Sequence, residues 1–180
     1  FMGSFVVTIP LLIRDVFLGA SQDLAIMNMV NSFGLLASIF LLFRLGDIQR
    51  PGRALMLAHL LGAAALAGVG IPSQFGLAVF VALIWGLSGG VAITMSRTIM
   101  QEQAPFDQRS RVMSFYGFSF MGSGPIGALM CGFLAEKFGP QGALLICAIG
   151  MLTVTVLLFF LTKLWDLNIK NYLLEKVDCH

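Results

Sequence analysis

Five stretches of this chain, residues 24–43, 54–72, 75–96, 112–135 and 143–162, run for 19 to 24 residues each without one Asp, Glu, Lys or Arg. At ~1.5 Å of rise per residue, about 20 helical residues cross the ~30 Å hydrocarbon core of a bilayer. In lipid every backbone N–H and C=O needs a partner inside the protein, so each apolar run of this length predicts a membrane-spanning helix. Residues 1–13 form a sixth apolar run that is too short to span, and the chain opens on Phe1 in place of an initiator Met. We read that run as the remainder of a span cut by truncation. The predicted fold class is an all-α integral membrane protein, a six-helix bundle over residues 1–165 with its first helix truncated, followed by a tail over 166–180.

Composition fits a chain whose surface meets lipid. Hydrophobic residues make up 58% and charged residues 11%, where a soluble domain carries about 25% charge. The net charge of +2 is spread over short connections, which argues against a nucleic-acid partner. Cys131 and Cys147 fall inside spans and Cys179 in the tail, a distribution that predicts packing or solvent exposure and no disulfide framework.

Charge placement sets the orientation. With six spans, one set of connections holds nine of the eleven basic residues: Arg44, Arg50, Arg53, Arg97, Arg109, Arg111, Lys163, Lys170 and Lys176. The other set holds only Arg14 and Lys137. The basic set should be cytoplasmic, which places residues 14–23, 71–74 and 136–142 outside and the C-terminal tail inside the cell, in an inner or plasma membrane. Pro51 with Gly52, Pro72, Pro105, and Gly139 with Pro140 all fall at span ends, where helices stop without leaving unpaired backbone in lipid.

The residues Gly132-Phe133-Leu134-Ala135-Glu136-Lys137-Phe138-Gly139 resemble the G-x-L-a-D-r-x-G loop motif of the major facilitator superfamily, with Glu for Asp and Lys for Arg. The family's basic continuation is replaced here by Pro140 and Gln141. A second stretch, Gly46-Asp47-Ile48-Gln49-Arg50-Pro51-Gly52-Arg53, looks like a degenerate copy, with Asp47 standing in for the motif's acid and Gln49 in the acid's own place. The link over residues 101–112, with Pro105 and Arg109-x-Arg111, is similar to the connection between the tenth and eleventh helices of efflux-type members. The resemblance implies helices seven to twelve of a twelve-helix carrier, a bilayer partner, an N-terminal six-helix half of the same chain, and a small-molecule substrate. It also implies that Asp47, Arg50, Gly52, Arg53, Gly132, Glu136, Lys137 and Gly139 act in conformational loops.

Polar side chains inside spans are costly enough to suggest function. Asn28, Asn31, Ser32, Leu35 and Ser38 recur at helical spacing, so Asn28, Asn31 and Ser32 are substrate-path candidates, with interhelical hydrogen bonding as the structural alternative. Tyr116, Ser119 and Ser123 share a face of the fifth run beside a small-residue stripe of Gly117, Met121, Gly124 and Ala128. Trp85 and Ser88 stand at i and i+3, open to substrate stacking or to core packing. Residues 122–127 spell the dinucleotide fingerprint G-x-G-x-x-G, but no strand precedes them and Pro125 lies inside an apolar run, so that reading fails.

Span interiors contain no Asp or Glu, and His59 is their one histidine. A structural role is expected for His59, and any acidic group for a coupling proton should lie outside this half. No metal or cofactor is expected, and no nucleophile–base constellation suggests an enzyme. The expected function is small-molecule transport by alternating access, with export of an amphipathic compound preferred. A lipid-modifying membrane enzyme and a non-transporting membrane scaffold are the competing readings.

Overall fold

The computed structural model describes residues 2–15, 21–46, 48, 50–70 and 75–161, and every regular element among them is helical. These are α1 (Met2–Asp15), α2 (Ser21–Leu45), α3 (Pro51–Gly70), α4 (Phe75–Gln103), a short 3-10 turn (Phe106–Gln108) and α5 (Arg109–Leu161). The expected tail over 166–180 and the motif residue Asp47 lie outside the described residues.

The punctuation seen in the sequence acts as local physics requires. Gly46 ends α2 at φ 70, and its N–H donates to Leu42 O at 3.2 Å, the left-handed cap that glycine adopts without a Cβ penalty. Pro51 takes the first position of α3, where its missing N–H costs nothing, and the Arg50 carbonyl accepts from Ala54 N–H at 3.4 Å. After α4, Ala104 N–H still reaches Met100 O at 3.2 Å. Pro105 (φ −54, ψ 143) then stops the helix, and Gln108 N–H closes the turn onto Pro105 O at 3.0 Å.

α5 is 53 residues long but departs from helical geometry at Gly139, with φ 76 and ψ 165. Residues sixteen apart along a straight helix would stand ~24 Å from each other, yet Cys131 Sγ and Cys147 Sγ are 3.4 Å apart. The element therefore folds back on itself, and its two arms correspond to the apolar runs 112–135 and 143–162.

The helices pack in the order α2, α4, α3, α5, α1, each lying along the next. Their common core joins Ile9 and Leu12 of α1 to Met27, Leu66 and Ala82 of the next three helices, and to Cys131, Leu144 and Cys147 from both arms of α5. Lipid is as apolar as leucine, so close contact holds such helices together more than removal of surface from water does.

Three elements are long and apolar enough to cross a membrane: Ser21–Leu45, Phe75–Gln103 and Phe106–Leu161. The six apolar runs of the sequence do not map onto six such elements: α1 at 14 residues covers only ~21 Å, α3 is not among the three, and two runs share α5.

Candidate functional site

The sequence candidates divide into those covered by another helix and those left uncovered. The covered group begins at the seam between α2 and α4. A Cβ on Gly34 would come within 2.6 Å of Leu83 O, one on Gly86 would collide with the Asn31 carbonyl, and one on Gly90 would lie 2.9 Å from Leu35 O. The Asn31 side chain lies against Gly86, so Asn31 belongs to the seam, as does buried Ser38, whose hydroxyl donates to Leu35 O at 2.8 Å. Gly34 with Ser38 and Gly86 with Gly90 are small residues at i and i+4, the spacing that lets two backbones approach in a membrane. That spacing is visible in the sequence and was the available sign of this seam.

Trp85 and Ser88 also turn toward protein. Ser88 Oγ lies 3.2 Å and a Trp85 ring carbon 3.5 Å from where a Cβ on Gly62 of α3 would sit, with Met151 of α5 at 3.1 Å. Ser88 is buried and donates to Trp85 O at 2.9 Å. The structure thus places both in the α3–α4–α5 packing.

Asn28 and Ser32 remain uncovered on α2. Asn28 Nδ2 donates to Leu24 O at 3.1 Å and Ser32 Oγ to Asn28 O at 2.8 Å, so each is satisfied within its own helix and still presents polar atoms outward. Ser32 borders an apolar groove formed by Ile26, Met29, Phe33, Leu36 and Leu83. On the first arm of α5, Ser119 and Ser123 are exposed and Tyr116 is half-buried, stacked on Phe120 with ring centroids 6.1 Å apart. Ser123 Oγ donates to Phe120 O at 3.0 Å. The polar faces of α2 and α5 are not brought into extended contact.

The small-residue stripe on α5 is not closely approached at its glycines, since nothing lies within 4 Å of a Cβ at Gly117 or Gly124. The stripe continues at four- and three-residue steps into buried Cys131 and Ala135. Burial along this face is complete only at that hinge end.

In the loop motif Gly139 holds the hinge, Gly132 is half-buried, and Glu136 and Lys137 are exposed, with Lys137 Nζ 5.6 Å from the Phe138 ring centroid. In the second stretch Arg50 is exposed, Gly52 is buried and Arg53 is half-buried. Beside them a cavity of about 290 Å³ opens between Phe43, Gly46, Pro51, Thr94 and Thr98. At the end of α1, Arg14 Nε donates to Asp15 Oδ1 at 2.6 Å, and this hydrogen bond holds the Asp15 carboxyl below its usual range.

His59 Nδ1 is 2.9 Å from Leu55 O. A carbonyl only accepts, so this nitrogen carries the proton in a structural bond. Buried Thr8 has no partner for its hydroxyl among the described residues, a feature the sequence did not flag. Among the described residues no group of three or more His, Cys, Asp or Glu is placed to hold a metal ion.

A helical chain with membrane-length apolar elements and uncharged polar faces has the build of a membrane carrier. The chain belongs to the Major Facilitator Superfamily, whose family model matches residues 1–171. Its members are membrane transporters of small molecules and not enzymes. Comparison with curated proteins and with solved structures finds no significant match.

Proposed function

We propose that this chain is the C-terminal six-helix half of a secondary carrier that exports a small amphipathic compound by alternating access. On this reading α1 to α4 and the two arms of α5 are helices seven to twelve, and the missing partner is an N-terminal half of the same chain. The basic connections face the cytoplasm and the Gly139 hinge faces outward. Asn28, Ser119 and Ser123 border the path, with Ser32 and Tyr116 at its edges, while Asn31, Trp85 and Ser88 support it from within the packing.

One observation carries the proposal: the family match spans all the described helices, and among the polar candidates inside the spans those left exposed, Asn28, Ser32, Ser119 and Ser123, lie on α2 and the first arm of α5. Neither face carries a fixed charge, which suits an amphipathic substrate over an organic acid. Export is favoured by the residue 101–112 link, which resembles that of efflux-type members.

The test is extrusion of an amphipathic fluorescent dye by cells that express the full-length protein and lack their major exporters. Asn28→Leu combined with Ser119→Leu should slow extrusion several-fold at unchanged membrane abundance. Undiminished extrusion by the double variant removes these faces from the path, and dye retention by the unaltered protein rejects export of this class.

A further inference from the structure

We propose that Cys131 and Cys147 form an oxidisable dithiol site, which a lipid hydroperoxide closes into a disulfide that ties the two arms of α5 together. The two sulfurs are 3.4 Å apart and both residues are buried, at 3% and 8% exposure. They stand eight residues before and eight after Gly139 in the chain, so the hinge that reverses α5 brings equivalent positions of its arms face to face. Packing keeps them there, since Ile9 and Leu12 of α1 and Leu144 of the second arm belong to the same buried cluster.

From contact at 3.4 Å, a bond of ~2.05 Å needs the sulfurs to close by little more than ~1 Å. A small side-chain rotation on each arm supplies that, with no movement of the hinge.

The location selects the oxidant. Eight residues of helix place the pair ~12 Å from the hinge, among apolar side chains, where an oxidant dissolved in the bilayer reaches it more readily than one confined to water. One thiol sulfur attacks the outer oxygen of the hydroperoxide as its proton passes to the inner oxygen. The O–O bond breaks, the lipid leaves as an alcohol, and the sulfur becomes a sulfenic acid. The second sulfur then attacks the first, the S–S bond forms, and the S–O bond breaks as hydroxide takes up the thiol proton and departs as water. Two thiols have then lost two electrons and two protons, and the hydroperoxide has become alcohol and water. The second step is intramolecular between atoms already in contact, which favours it over further oxidation of the sulfenic acid.

Nothing in this site depends on the direction of transport or on the substrate. Lys137 lies between the two cysteines in sequence and Lys163 beyond the second, which makes the product easy to read. Membranes holding the full-length protein are exposed to a lipid hydroperoxide, then denatured, alkylated and cut with a lysine-specific protease. The peptide ending at Lys137 and the peptide covering residues 138–163 should remain joined without reductant, separate when it is added, and never join in Cys131→Ser or Cys147→Ser. Mass spectrometry that finds both cysteines alkylated on separate peptides after exposure, or each oxidised to a sulfinic acid without joining, overturns the proposal.

Discussion

At Gly86 the backbone of α2 passes so close that the Asn31 carbonyl leaves no room for a methyl group, whereas at Gly89 on the same helix nothing lies within 4 Å. The two glycines therefore predict opposite outcomes. Gly86→Ala should lower stability by about 1–3 kcal/mol through overpacking, while Gly89→Ala should be neutral or stabilising by up to about 1 kcal/mol through helix propensity. Thermal unfolding of the purified protein in detergent separates them, and equal shifts would deny the seam. Thr8 predicts a gain: its buried hydroxyl lacks a partner among the described residues, so Thr8→Val keeps the shape and should raise stability by about 1 kcal/mol. At this scale the sequence showed that Asn28, Asn31 and Ser32 share a helix, but not that a neighbouring backbone would divide them. Helical periodicity fixes an angle around one axis and carries nothing about which flanking helix is glycine-rich enough to approach. Trp85 shows the same limit, since its place beside Gly62 of α3 depends on a contact between residues distant in sequence.

Among the elements, α5 depends most on a single backbone position. The φ 76, ψ 165 pair at Gly139 lies in a region that only glycine adopts freely, and any side chain there costs about 1–3 kcal/mol. Gly139→Val should therefore reduce membrane abundance and lower the unfolding midpoint, and it should also separate Cys131 from Cys147. Gly46 has a positive φ as well but ends a helix and does not reverse one, so Gly46→Asn should be milder, because asparagine tolerates that conformation. Abundance and midpoint measured for the two variants side by side check this, and a harmless Gly139→Val would remove the hinge from the account. The runs 112–135 and 143–162 and the Gly-Pro pair between them were legible from sequence. The stripe from Gly117 to Ala128 was legible too, but no close approach is made at Gly117 or Gly124, and full burial comes only in the continuation into Cys131 and Ala135.

For the whole molecule, apolar runs and turn residues gave the all-helical membrane class, and the family match over residues 1–171 agrees with the loop motifs read from Gly132 to Gly139. Helix order in space was not legible, since α2 packs on α4 and α3 lies between α4 and α5, an arrangement that no single segment encodes. The central claim is that the uncovered polar faces of α2 and α5 line a water-filled path and do not meet lipid. Single cysteines placed at Asn28 and Ser119, and for comparison at Phe33 and Phe118 on exposed apolar positions of the same helices, test it in an otherwise cysteine-free protein within intact membranes. Labelling with a charged, membrane-impermeant maleimide should be rapid at 28 and 119 and slow at 33 and 118, because carrying the reagent's charge into hydrocarbon costs too much for it to reach a lipid-facing thiol. The reverse pattern, or silence at all four positions, would contradict the account.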